Sequence, residues 1–222
     1  MSAIRLELND ARDFTFEEDE HVYRDRDGNA HFSITQMLQK VGIYDYAGIV
    51  PSVLENAARR GRNVHRWCAE HDLHGFLDET WMAADEVGYF EAWLKFKRDS
   101  KIVIREVERP RLRPIHGFLV GGTPDVIGLI ENIPFVVERK ACRVKHPGWA
   151  IQTAMQEMLI TGRPRVGYLA RISVQLKPEG TYTTHLYTDP MDGHVALNIV
   201  AKFMVEESIR NWMSNAGLKT AA

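Results

Sequence analysis

Cysteine is scarce in this chain of 222 residues: only Cys68 and Cys142 occur. Two distant thiols make no disulfide framework, and a four-cysteine iron–sulfur cluster is excluded within one chain. No run of eighteen apolar residues is present, so no membrane span is expected, and the opening Met1-Ser2-Ala3-Ile4-Arg5-Leu6-Glu7 lacks the apolar stretch of a secretory leader. The expectation is a protein of the reducing cytoplasm. No Gly-x-x-x-x-Gly-Lys-Ser/Thr loop is found, so a P-loop motor is not expected, and no nucleotide cofactor is expected either. Repeats and Gly/Ser- or Pro-rich linkers are also missing. With 45% apolar residues the chain can bury a sizeable core, and one domain over 1–222, carrying an N-terminal β-hairpin and helical extension, is expected.

Charge is plentiful although its sum is only −2. Residues 1–27 hold nine Asp/Glu against four Arg/Lys, whereas residues 95–146 hold twelve Arg/Lys against six Asp/Glu. A locally basic groove on an acidic protein can bind a phosphate backbone, although a solvated mixed-charge surface accounts for many of these residues singly. Arg59, Arg60, Arg62 and Arg66, on the helix that carries His65, are the preferred candidates for nucleic-acid contact.

Two short segments concentrate the chemistry. Phe135-Val136-Val137 reads as a buried strand that breaks into Glu138-Arg139-Lys140, and side-chain alternation puts Glu138 and Lys140 on one face with Arg139 on the other. Gly122-Thr123-Pro124-Asp125 lies upstream, within a stretch from Gly117 to Ile130 read as a hairpin bending at Gly121-Gly122. Two carboxylates and a lysine then meet at one sheet edge. Carboxylates from adjacent strands suit Mg²⁺ or Mn²⁺, which can draw in a phosphate oxygen and ease deprotonation of a nearby water. Lys140, with three donors, can hold that water and offset charge on the phosphate. The plainer reading is an ion pair at a strand end beside a turn acid.

At these residues the chain resembles the PD-(D/E)XK nuclease superfamily, with Pro124-Asp125 and Glu138-Arg139-Lys140 as its two half-motifs. Gly61-Arg62-Asn63-Val64-His65 is similar to the Gly-x-x-x-His helix motif of the RecB-type branch, and Gln152 to the glutamine of that branch's third motif. His21-Val22-Tyr23, Gly28 and Ser33-Ile34-Thr35 are similar to its upstream hairpin and helix start. The resemblance implies an α/β (α+β) fold with a restriction-endonuclease-like core, a central mixed sheet flanked by helices in the order αβββαβ. It implies Asp125, Glu138, Lys140 and Gln152 as catalytic residues. It implies His65, Asp125, Glu138 and the main-chain carbonyl of Arg139 as ligands of Mg²⁺, with Mn²⁺ tolerated. The implied activity is that of a stand-alone DNA exonuclease of recombination, repair or phage replication. A structure- or site-specific endonuclease, or a nucleic-acid-binding or assembly subunit that does not cut, are the alternatives. DNA is the implied partner, with a recombination or single-strand-binding protein and self-assembly left open; no membrane partner is expected. Gln156 stands where the third motif usually has a tyrosine, and it is read as a surface glutamine.

The remaining pattern fills in the elements. Phe14–Tyr23 and Ala30–Phe32 suggest a hairpin turning at Asp27-Gly28, Ser33 or Thr35 a helix cap, and Pro51 the start of a long helix. A helix over Ala84–Asp99, strands over Ile102–Val107 and Phe135–Lys140, and a helix over Trp149–Ile160 follow. A hairpin over Arg165–Leu176 and Thr181–Tyr187 precedes a closing helix over Gly193–Met213. Glu106 and Glu108 could lend a further acid or serve the surface. Histidines at 65, 71 and 74 lack the spacing of a zinc site. Trp67, Trp93 and Trp149, at helical spacing, read as core rather than as base-stacking platforms.

Overall fold

The computed structural model describes residues 14–17, 22–76 and 79–215. The chain enters through three short antiparallel strands, β1 (Phe14–Glu17), β2 (Val22–Asp25) and β3 (Ala30–His31). Where one strand over Phe14–Tyr23 is expected there are thus two. The second turns back through Asp25, whose carboxylate accepts the backbone N–H groups of Asp27 and Asn29, with Gly28 at φ 82°. His21 lies outside the described residues.

Ser33 then caps α1 (Ile34–Lys40) in a reciprocal capping box with Gln36. Pro51 sits at the first position of α2 (Pro51–His74), which Gly75 ends in the left-handed conformation. After α3 (Ala84–Ser100) come β4 (Val103–Val107), β5 (Arg111–Ile115), β6 (Phe118–Gly122), β7 (Val126–Ile130) and β8 (Ile133–Ala141). Helix α4 (Gly148–Thr161) crosses over to β9 (Ala170–Leu176), which pairs parallel to β8; β10 (Tyr182–Tyr187) and α5 (Met191–Asn215) follow. The central sheet runs β10-β9-β8-β7-β4, with every pair antiparallel except β8–β9. It is a mixed sheet flanked by helices, as expected.

Alternation assigns the two faces of the sheet. Val137, Val126, Ile172 and Val174 pack against Val64 and Cys68 of α2 and Phe90, Trp93 and Phe96 of α3. Val136 and Ile127 turn the other way, onto Ile160 of α4. A second core joins α4 to α1, α5 and the β5–β6 ribbon through Met37, Met155, Leu159 and Phe203.

The stretch from Gly117 to Ile130 is not a hairpin bent at Gly121-Gly122. Both glycines lie in β6, which pairs with β5, while β7 pairs with β4 and β8. Their role is close approach: a Cβ on Gly121 would fall 2.3 Å from the Tyr23 ring, and one on Gly122 would fall 2.6 Å from Leu159. The true hairpin is β7–β8, turned by Glu131 and Asn132, both at positive φ as a two-residue primed turn requires. That hairpin places Val126 opposite Val137, so Asp125 and Glu138 emerge together at one end of the sheet.

Candidate metal centre

Asp125 leaves β7 into a nest of partners. Its Oδ2 accepts the backbone N–H of Arg139 at 2.6 Å, and its Oδ1 lies 3.3 Å from Nδ1 of His65 on α2. The backbone N–H of Glu108, just past β4, donates to the Asp125 carbonyl at 3.0 Å, and the Glu108 carboxylate comes within 3.7 Å of His65. His65, Glu108 and Asp125 each offer one ligand atom, all within 4.8 Å of one another. Glu108, left open by the sequence, is thereby part of the cluster. The signal for it was positional: an acid at the end of the strand that pairs with the start of β7.

Arg139 supports this cluster from behind. Alternation turns its side chain onto the apolar α2–α3 face, where it is wholly buried. Its guanidinium pairs with Glu108, lies 3.4 Å from Asp72 and 3.8 Å from Asp125, and sits 5.2 Å from the centre of the Trp93 ring. Asp72, seven residues after His65 and so on the same helical face, also accepts from Lys97 at 2.6 Å and from Trp93 Nε1 at 3.0 Å. Buried charge is tolerable only when paired, and breaking such a pair costs about 3–5 kcal/mol. The contact between Arg139 and Asp125 runs through the Arg139 N–H and guanidinium.

Glu138 and Lys140 occupy the opposite face, towards α4. Glu138 is held by three donors: Lys140 Nζ at 2.8 Å and Gln152 Nε2 at 2.6 Å on Oε1, and Gln156 Nε2 at 2.6 Å on Oε2. Gln152 Oε1 in turn accepts from Lys140 at 2.8 Å and from the Tyr44 hydroxyl at 2.6 Å, which fixes the orientation of its amide. Gln156 is therefore a buried member of the site and not a surface glutamine. Tyr44, on the segment after α1, gave no local signal in the sequence. Gly148 makes room for it, since a Cβ there would meet the Tyr44 ring at 2.8 Å.

The electrostatics separate the roles. Burial alone would pull the His65 imidazolium down, but the carboxylates of Asp125 and Glu108 outweigh it and raise the group to about 10. Burial would raise Asp125, yet His65, Arg139 and Lys140 hold it down at about 2. Burial and the charge of Asp125 push Glu108 up. Lys140, which burial alone would lower, is raised by Glu138 and Tyr44. It stays a cationic donor.

Of the four arginines preferred for nucleic acid, Arg59 is committed to Glu86 at 3.0 Å, and Arg66 lies over the Trp67 ring at 4.3 Å. Arg60 lies 5.5 Å from the Tyr89 ring and Arg62 is exposed. Trp93 and Trp149 are core residues, and Trp67 donates to Glu86 at 2.9 Å. His71 packs on Phe90 and lies 2.8 Å from Lys97 Nζ.

The donor set of two carboxylates and one imidazole fits a hard or borderline divalent cation such as Mg²⁺ or Mn²⁺. Among the described residues no helix is long and apolar enough to cross a membrane.

No protein-family model and no curated protein matches the chain. Among solved structures it is similar to an alkaline exonuclease (LHK-Exo) from Laribacter hongkongensis, at 18% identity and TM-score 0.41, over 70% of this chain and 84% of that one. The same enzyme in complex with dAMP gives 18% and 0.40, over 70% and 85%. The protein SSO0001 gives 13% and 0.37, over 65% and 84%. At these scores the overlap is loose, and the functional case stands on the chemistry of the site.

Proposed function

We propose that this chain is a divalent-cation-dependent nuclease that hydrolyses DNA phosphodiester bonds, acting from a free end. The observation that carries the reading is the convergence of His65, Glu108 and Asp125 with the Glu138–Lys140 pair at one end of β4, β7 and β8. His65, Asp125 and Glu108 would hold the cation, with Glu138 at the adjoining strand position. A cation there supplies Lewis-acid polarisation of a phosphate oxygen and a better water nucleophile. Lys140 donates to that water or to a non-bridging oxygen, and its raised proton affinity keeps it charged while it does so. Gln152, pinned by Tyr44, keeps the lysine and Glu138 in register. Asp72 and Arg139 fix the acids from behind.

The build of the described surface supports action from an end. The sheet, its helices and the N-terminal strands account for the described elements, and the exposed charges beside the site suit backbone contacts, which position DNA without reading it. The test is digestion of 5′- and 3′-labelled linear DNA and of covalently closed circles, with Mg²⁺ and with a chelator. Linear DNA should be degraded progressively, circles should survive, and the chelator should stop the reaction. Circles cut as fast as linear DNA would make it an endonuclease; binding without cutting under all conditions would make it a non-cleaving subunit.

A further inference from the structure

We propose that the sheet face carrying Glu138 and Lys140 continues into a basic track for the phosphate backbone of a bound DNA strand, formed by Arg143, Lys145 and Lys177 around His185. The choice of DNA rests on the nuclease reading above.

Register carries the argument. Glu138 lies beside Ser173, which lies beside His185; Lys140 lies beside Gln175, which lies beside Thr183. In register the same side of the sheet runs across β9, where Ser173 and Gln175 are buried, to the edge strand β10, so the exposed cations lie at the strand ends and loops that border it. Hydrogen bonds join the same positions: Gln175 Nε2 donates to the Cys142 carbonyl at 3.1 Å, and Gln175 Oε1 lies 3.0 Å from His185 Nε2. Cations cluster along this line. Arg143 and Lys145 are exposed on the loop directly after Lys140, and Lys145 sits 5.8 Å from the Tyr187 ring on the edge strand. Lys177 follows Gln175 at the same parity, in the turn between β9 and β10.

The fields felt by His185 and Cys142 on this line come from cations, while Tyr187 at the edge also feels Asp192. Besides burial, the charges that lower His185 are Lys145 and Lys177, and those that lower the neighbouring Cys142 thiol are Lys140 and Arg60. Nearby acids are turned to other partners: Glu179 accepts from Thr181 at 3.2 Å, and Asp192 pairs with Arg171 at 2.9 Å. Arg143 and Lys145, with Lys177 beyond them, have no ion pair among the described contacts, and a row of such cations leaving Lys140 carries the sign that a phosphate backbone needs. Lysines at a sheet edge also deter edge-to-edge pairing, and that role alone predicts no effect on DNA.

The experiment is fluorescence anisotropy of a labelled single-stranded DNA oligonucleotide, in chelator so that no cutting occurs, as salt is varied. Lys145→Gln with Lys177→Gln removes two contacts. The slope of log K against log salt should become shallower by about 1.4, and affinity at low salt should fall by roughly tenfold or more. Lys95→Gln with Lys202→Gln, two exposed lysines held in ion pairs elsewhere, should bind as the unmodified protein does. Unchanged slope and affinity in the first pair, an equal loss in the control pair, or no binding by the unmodified protein overturns the track. Melting temperatures of both pairs show whether the fold is kept. Because binding is read without cleavage, the two readings fail separately: a protein that cuts but ignores the first pair loses only the track. One that binds through the track and never cuts loses only the nuclease assignment.

Discussion

Replacing Gly61 by alanine should make the protein more stable and less active. Gly61 lies inside α2, one turn before His65, at a helical φ, and a Cβ built on it meets no atom within 4 Å. Nothing in the fold therefore requires glycine. A helix-interior glycine costs about 0.5–1 kcal/mol relative to alanine through backbone entropy, and here no clash opposes the gain. For a chain of this length that corresponds to a rise in Tm of about 1–4 °C. The open space over the turn before His65, proposed above as a metal ligand, is the feature a substrate would use. A methyl there is expected to raise KM for DNA, with Mn²⁺ affinity unchanged. Tm by scanning calorimetry, Mn²⁺ binding by titration calorimetry and steady-state cleavage read the three quantities independently. A variant that gains the stability and cleaves DNA with the original KM refutes the idea that this space is kept for substrate. A variant that loses stability refutes the packing argument itself.

Lys140→Ala should abolish cleavage while Mn²⁺ still binds, because the ammonium is a donor and not a ligand; retained cleavage removes Lys140 from the chemistry. Since His65 is raised to about 10 and must be neutral to bind a metal, Mn²⁺ uptake near neutral pH should release about one proton, and affinity should rise with pH until it levels near that value. Titration calorimetry in buffers of different ionisation enthalpy reports the proton directly, and its absence would take His65 out of the ligand set. Glu157 is fully buried, and its Oε1 accepts the backbone N–H groups of Gly167, Tyr168 and Leu169 at 2.8, 2.6 and 2.9 Å. Glu157→Ala removes the acceptor of three backbone N–H groups, that of Leu169 buried, and one carboxylate partner of the buried Arg171 at 3.4 Å, and should cost about 3–5 kcal/mol in urea unfolding, whereas Glu157→Gln, which keeps an acceptor, should lose well under half of that.

The sequence carried the elements with strong period and clear ends. Pro51 and Gly75 bound α2, Gly162 stops α4, and the apolar run before Glu138 marks β8. Alternation was enough to turn Arg139 away from Glu138 and Lys140. Local pattern failed where long-range packing decides. Arg111-Leu112-Arg113-Pro114-Ile115 carries two arginines and a proline, yet it forms β5 because a two-stranded ribbon leaves room for a residue without an N–H. Gly121-Gly122 carries the composition of a bend but serves the approach of Tyr23 and Leu159, which are distant in sequence. Gln156 looked like a surface residue because α4 bears few charges to mark its solvent side; in fact the helix is enclosed almost all round. Tyr44 could only be found in space, being 108 residues from the glutamine it touches.

The charges at this end of the sheet form two adjoining groups, one from each side of β8, close enough that Lys140 and Asp125 feel one another. On the α4 face one carboxylate, Glu138, is met by a lysine and two amides. On the α2 face three acids, Asp72, Glu108 and Asp125, converge on Arg139 with Lys97 and His65 at the margins. An arginine between two catalytic-type residues, buried on an apolar face, is costly by itself. Its presence makes sense in the reverse direction: three acids brought within reach of one another would repel, and the residue that alternation places among them is the one able to hold all three. Arg139 stays in place after a cation arrives, because its guanidinium is also tied to Asp72, which is not among the cluster's ligand residues. The imidazolium of His65 does not, since its proton is what a cation would displace. The site is therefore built with one fixed counter-charge and one exchangeable counter-charge, which is the arrangement expected of a centre that must release its metal-binding acids without unfolding.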